Sequence, residues 1–247
     1  MKRSYFFHVH YADVGMKLIM KPHILEEIIL NSACRAADDD GFGIPDLNRQ
    51  NKSWVLARFQ LDVIEWPALK DDIEIETWVE SYRMGFSMRN FRIYRVSRDS
   101  SSSILSSSSR KLIATSKTAW AIIDLTTRQN VNIFDQPVFM EHLDGEILDL
   151  KIDTRPDKNA EIIEKEYTIQ YADIDQNGHC NSARYPQMML NAYGDIMGLH
   201  PRQWQISYSH ELRFNEKVKI TFTKSKNPFF RIYNSEGVLC TSAIFIL

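Results

Sequence analysis

The chain has 247 residues, 44% hydrophobic and 25% charged, with a formal net charge of −2. That length holds one large domain or two small ones with real cores, and the dispersed, nearly balanced charge carries no nucleic-acid signature. Cys34, Cys180 and Cys240 are far apart without CxxC spacing, which excludes a disulfide framework or structural zinc site and fits a reducing cytoplasm.

No apolar run approaches the ~20 residues of a membrane span. MKRSYFF leads into alternating HVHYAD rather than an apolar signal core. Tyr5 to Asp13 alternates bulky and polar residues and reads as a strand. Pro22 then stands at a first helical position, followed by Ile24, Leu25, Ile28, Ile29 and Ala33 at helical spacing. The spacing predicts a helix to about Asp39, stopped before Gly41, with an apolar stripe broad enough to be wrapped by a sheet.

From Trp54 the pattern turns to β. Four runs, Trp54–Glu65, Asp72–Tyr82, Ser87–Val96 and Ile113–Asp124, read as an antiparallel meander broken at Pro67 and Gly85. The serine-rich residues 99–109 read as a mobile hairpin loop. Thr126 to Ile163 reads as a linker crossing the surface. Strand Glu166–Ala172 and a helix from about Ser182 to Met197 follow. Strands Gln205–Phe214, Lys217–Lys224, Phe229–Asn234 and Leu239–Leu247 then complete the chain.

The order of elements therefore repeats, and so do residues: Tyr11-Ala12-Asp13-Val14 returns as Tyr171-Ala172-Asp173-Ile174. The economical fold class is α+β, a duplicated unit of one helix and a curved antiparallel sheet, joined edge to edge. The halves are residues 1–125 and 164–247, with 126–163 between them. Where the second copy has DIDQNGHCN, the first has the apolar DVGMKLIMK, so one half is expected to bind something greasy and the other to carry chemistry.

That chemistry is expected in Tyr171–Gly194. Asp173, Asp175, Asn177, His179 and Asn181 alternate, and so share one face if the segment is extended. The helix that follows offers free backbone N–H groups to a developing anion. Turn and cap formation, with Asn181 or Ser182 as cap, accounts for such residues equally well on this segment alone. Cys180, adjacent to His179, is expected to face the core rather than act as a nucleophile.

The sequence resembles the acyl–acyl carrier protein thioesterases of plant plastids and bacteria, which are double hotdog proteins. The resemblance rests on DIDQNGHCNSARY, on YSHEL and on WVLARFQLDVIEWPALKDDIEIETWV, and extends over nearly the whole chain. It implies a catalytic set of Asp175, Asn177, His179 and Glu211, with no metal and no cofactor. It also implies hydrolysis of the thioester of a fatty acyl chain on acyl carrier protein. Leu212 stands where some members carry a cysteine, which removes a Cys–His mechanism at that position.

On this reading Glu211 or Asp175 is the general base. Asn177 and His179 assist, and backbone N–H groups near Asn181 bind the oxyanion. Ile24, Leu25, Ile28, Trp54 and Phe59 are expected to line the acyl channel with Asn181 at its reactive end, although core packing is the commoner meaning of such a stripe. An acidic carrier protein would require a basic surface, with Arg184, Arg202 and Lys217 as candidates. The alternatives are an acyl-CoA thioesterase of the same fold, a hotdog hydratase, and a non-catalytic acyl-binding module. A double unit already contains the pairing that single units obtain by dimerising, so monomer and homodimer both remain open.

Overall fold

The computed structural model describes residues 1–83, 85–97, 110–135, 141–194 and 199–247. The serine-rich stretch expected to form a hairpin loop, 99–109, lies outside them. Among the described residues eleven strands form one antiparallel sheet. The first half contributes β1 (Arg3–His8), β2 (Lys52–Val63), β3 (Asp72–Arg83), β4 (Phe86–Val96) and β5 (Arg110–Asp124), and the short β6 (Asn130–Val131) follows in the segment between the halves. The second contributes β7 (Ile162–Thr168), β8 (Gln203–Tyr208), β9 (Lys217–Thr223), β10 (Phe229–Tyr233) and β11 (Leu239–Ile246). The helices are α1 (Pro22–Asp39), α2 (Ile44–Asn48) and α3 (Arg184–Tyr193).

The strand order is β1-β3-β4-β5-β2 continuing as β8-β11-β10-β9-β7, with β6 added to β5. The second array repeats the first, and the join is the antiparallel pair β2–β8. Phe59 stands opposite Ile206 and Leu61 opposite Trp204 in that pair, and the Gln60 amide donates to Gln205 Oε1 at 2.8 Å. Two sheet edges that would otherwise face solvent are thereby paired.

The duplication is visible bond by bond. After β1 and after β7 the chain winds into a single 3-10 turn, Tyr11–Asp13 and Tyr171–Asp173. Asp13 Oδ2 accepts from the His10 N–H, and Asp173 Oδ2 from the Gln170 N–H, each at 2.8 Å. A tight hairpin follows in each half, bridged Val14 to Met20 and Ile174 to Cys180. Its left-handed position is Leu18 (φ 58°) in one copy and Gly178 (φ 76°) in the other. Each hairpin is then tied to a distant loop: Met20 N–H donates to Pro67 O, and Cys180 N–H to Leu212 O, both at 2.8 Å.

This geometry corrects several expectations. The first strand stops at His8 and the strand before the motif runs Ile162–Thr168, because the corresponding aspartates Asp13 and Asp173 each bond the backbone N–H at their own turn in place of a ladder partner. The motif is a folded hairpin rather than an extended segment. The helix expected from about Ser182 to Met197 is α3, ten residues long and capped by Gly194 (φ 78°); Met197 lies outside the described residues. The strand expected over Gln205–Phe214 ends at Tyr208, because Ser209 and His210 both turn their N–H groups onto Cys240 O. Over its described residues the segment between the halves pairs β6 to β5, and its Glu146 carbonyl is held by Trp78 Nε1 and Asn90 Nδ2. Its last two residues belong to β7.

One connected core runs through both halves, from Leu25 and Ile29 on α1 through Phe59 and Trp204 to Met188 and Met189 on α3. Trp204 is fully buried and stacks on Trp66, centroids 5.9 Å apart. Its indole donates to Glu26 Oε2 at 3.1 Å, so a carboxyl from α1 sits wholly inside, against β8. Tyr208 Oη lies 2.9 Å from Glu26 Oε1 and 3.2 Å from Ser182 O. The hydroxyl has one proton for two acceptors. A protonated Glu26 resolves the count by donating to Tyr208, which then donates to Ser182. Burial favours that form, pushing the Glu26 carboxyl up to about 8.

Between about pH 4.5 and 8 the folded state therefore holds a proton that the unfolded state has lost. Stability present below the lower value is lost as pH rises through the upper one. Urea unfolding of wild type and Glu26→Gln across that window should show the difference between them shrinking or inverting by up to about 1.4 kcal/mol per pH unit. A difference constant from pH 5 to 8 would refute a protonated Glu26.

Candidate active site

The hairpin over residues 174–180 presents its polar side chains because its backbone demands are met locally. Asp175 Oδ1 accepts from the N–H of Asn177 at 2.8 Å and of His179 at 3.4 Å. Gly178 supplies the positive φ that the turn requires. Asn177, at the exposed tip, keeps its side-chain amide without a partner among the described residues. His179 forms an isolated bridge with Arg213, which sets its ring beside the loop that follows β8.

Glu211, expected on a strand, is carried by that loop. Its Oε2 lies 3.2 Å from His179 Nε2 and is also bonded by the guanidinium of Arg128. Arg128 comes from the turn after β5, at the start of the segment between the halves, where it adopts φ 59°. Three segments far apart in sequence thus meet at one carboxylate. Both contacts fall on Oε2, and Oε1 has no partner among the described residues.

These groups line a cleft of about 950 Å³ that runs along α1. Asp175, Asn177, His179, Asn181, Tyr208, Glu211 and Arg128 contribute from one side. Glu27, Leu30, Asn31, Cys34 and Asp38 of α1, with Trp54 and Trp120, contribute from the other. A second cavity, about 740 Å³ between α3 and strands β7 and β9, is lined by none of the polar set. Among the described residues no group of three or more His, Cys, Asp or Glu side chains converges as metal donors.

Of the five residues expected to line a channel, only Trp54 does so. Leu25 and Phe59 are fully buried in the core, and Ile24 and Ile28 pack at its partly buried edge. The i, i+3, i+4 stripe marks the face of α1 that meets the sheet. The face toward the cleft is the mixed row from Glu27 to Asp38, which no hydrophobic periodicity reveals.

Asn181 also departs from its expected part. Its N–H donates to Asp173 O at 2.8 Å and so offers nothing to an oxyanion, while its Oδ1 accepts from Ala183 N–H at 3.0 Å. The free backbone donor at the entry to α3 is Ser182, whose N–H has no partner among the described residues. Arg128 carried no sequence signal at all. Of the basic residues considered for a carrier surface, Arg184 bonds Gln187 and pairs with Glu27, and neither it nor Arg202 nor Lys217 lines the cleft.

Cys180 is buried, 7% exposed, and burial raises its thiol well above the ordinary range, with Asp173 and Asp175 adding to the effect. Iodoacetamide at neutral pH should therefore label Cys180 only as fast as the protein unfolds, as read by peptide mass. Rapid labelling of the folded protein would overturn that assignment.

Family models match both halves in order: the acyl-ACP thioesterase N-terminal domain over residues 2–139 and the C-terminal domain over residues 156–242. A chloroplastic acyl-[acyl-carrier-protein] hydrolase of Cuphea viscosissima is 30% identical over 177 residues, covering 68% of this chain and 40% of its own length. A palmitoyl-acyl carrier protein thioesterase of Arabidopsis thaliana is 25% identical over 217 residues, covering 82% and 48%. The chain thus spans less than half the length of these curated relatives. In fold it matches an acyl-ACP thioesterase of Bacteroides thetaiotaomicron with a TM-score of 0.82 at 24% identity, covering 99% of this chain and 97% of that one. It matches the 12:0-ACP thioesterase of Umbellularia californica with the same score at 15% identity, covering 99% and 96%. With both domain models matched in order across the two halves that share one sheet, the chain belongs to the acyl-ACP thioesterase family.

Proposed function

We propose that the protein hydrolyses the thioester of a fatty acyl chain carried on acyl carrier protein, releasing the free acid and the carrier thiol. The observation that carries this reading is the meeting of His179, Glu211 and Arg128 at the side of a cleft large enough for an acyl chain. In this reading the fold is a double hotdog, with residues 1–125 receiving the chain, 126–163 crossing over and 164–247 supplying the chemistry. The two internal arrays already pair through β2 and β8, so a monomer suffices and a homodimer would add contacts elsewhere. The three free cysteines suit a reducing compartment such as the cytoplasm.

Glu211 is the general base. Arg128 and His179 hold Oε2, which leaves Oε1 to accept a proton from the attacking water. The water oxygen bonds to the thioester carbon, and the carbonyl electron pair moves onto oxygen. Donors for that oxyanion are the Asn177 amide and the Ser182 N–H, each worth ~10²–10³ in rate for a group of this kind. When the tetrahedral intermediate collapses, the C–S bond breaks and the thiolate takes the proton held by Glu211, with His179 passing it across. Asp175 keeps the hairpin in register by accepting from Asn177 and His179 N–H. Arg213, exposed beside His179, suits an acidic carrier.

The reading is tested by kcat/KM on acyl-ACPs of graded chain length, with acyl-CoAs of the same lengths in parallel. Glu211→Ala and His179→Ala should each lose ~10²–10⁴, and Asn177→Ala about 10²-fold. Cys180→Ser, checked for folding, should stay within about tenfold of wild type, since a group that takes no part in the step contributes nothing to its barrier. Undiminished hydrolysis by Glu211→Ala would sink the mechanism, and a preference for acyl-CoA would sink the carrier assignment.

A further inference from the structure

Against the Cys34, Ile44, Trp54 and Trp120 wall, which it shares with the cleft, lies a further small cavity, the extension, of about 30 Å³. Most of its lining is apolar, as the end of an acyl channel should be. Two residues of β4 are polar, Ser87 and Arg89, and Arg89 carries a charge while only 5% exposed. A buried cation without a counter-ion costs several kcal/mol, and arginine does not escape the cost by losing its proton.

The partners of Arg89 are few. Its Nη1 donates to Thr77 Oγ1 at 3.3 Å, and it makes no ion pair among the described residues. Asp40 exerts an attraction from further off, but its carboxylate is already bonded by Arg3 and lies 3.3 Å from His142. Five N–H donors therefore face one neutral hydroxyl and a small apolar space. Burial lowers the affinity of the guanidinium for its proton, the mark of a charge left under-compensated.

We propose that Arg89 is a distal subsite that accepts the far end of the acyl chain when that end carries a hydrogen-bond acceptor oxygen, as a hydroxyl or a carboxylate. This deepens the hydrolase reading and rests on it for the identity of the chain. Register supports the placement. Arg89 pairs with Thr118, Thr118 with Phe59, and Phe59 with Ile206, so Arg89 stands three strand spacings, about 14 Å along the sheet, from β8. Glu211 follows the end of β8 and lines the cleft, whereas Arg89 lines the extension on the far side of the shared wall, so a chain running from one to the other would end at the guanidinium. The extension has room for a terminal polar group or a water, not for a further run of methylenes.

The test compares acyl-ACPs of matched length ending in a methyl, a hydroxyl or a carboxylate. Wild type should favour an oxygen-ended chain over the methyl-ended one by about tenfold or more in kcat/KM, because a site built for an acceptor penalises its absence. The hydroxyl and carboxylate arms tell whether an acceptor suffices or a counter-charge is needed. Arg89→Met should abolish that preference while leaving chains too short to reach it unchanged, and Arg89→Lys should retain part of it. Methyl-ended chains performing equally well in wild type would mean that only a water occupies the subsite, and the proposal would fail. So would a preference that survives Arg89→Met. Quenching of Trp54 and Trp120 fluorescence by free acids with and without a terminal oxygen reads the subsite with no hydrolysis. Equal binding of the two alongside intact hydrolysis overturns the subsite alone; selective binding without hydrolysis overturns the enzyme reading and keeps the subsite.

Discussion

The N–H of Cys180 donates to the carbonyl of Leu212, and beside it His179 bridges Arg213. Those backbone contacts lock a hairpin from one part of the second half to a loop from another. Side chains on either side of them, His179 and Glu211, are thereby held within 3.2 Å at their reactive atoms. A carboxylate on a free loop would spread over many rotamers, and ordering it would consume the interaction energy. Here the ordering is done by the backbone before any ligand arrives, which is what a preorganised polar site requires.

The same contact exists in the first half, between Met20 and Pro67. Its flanking residues there are Ile19 and Ala68, which bridge each other and carry no reactive group. Duplication has therefore supplied one scaffold twice, and only one copy has polar side chains at the crossing. What the first copy gives instead is the long helix α1, whose mixed face lines the cleft, and the segment just after it adds Arg128. The site is a product of both halves, though the recognisable motif lies in one.

Helix α1 faces two ways for this reason. Its apolar stripe enters the shared core, and Glu26 on that stripe is bonded to Trp204 and Tyr208 of β8. Tyr208 in turn lies beside the Ser182 carbonyl, at the approach to α3. The position of the cleft's two sides relative to each other is thus fixed through a buried carboxyl, a position where a neutral, fully bonded group is tolerated and an ionised one is not.

Much of the fold is legible in the residues themselves. Pro22 and the spacing from Ile24 to Ala33 mark α1 and its end near Asp39, and the Tyr-Ala-Asp echo marks the duplication, because each depends on local propensity and periodicity. The β-rich runs mark four strands, but only β3, β4 and β5 follow one another as the expected meander; β2 pairs with β5 and β8, because a non-local pairing has no local signature. The hairpin over 174–180 was harder to see, since alternation of Asp, Asn and His suits a strand as well as a turn whose aspartate bonds its own backbone. Arg128, Arg89 and the cleft face of α1 had no signature, because their significance comes from what lies across from them. The sequence by itself determined the repeated helix-and-sheet unit, the polar composition of the segment 173–181 and a buried Cys180, all set by short-range patterning and burial. Only the tertiary structure decided that Glu211 meets His179 and Arg128, and that Arg89 lies behind a wall of the cleft, because those juxtapositions depend on how the strands share one sheet.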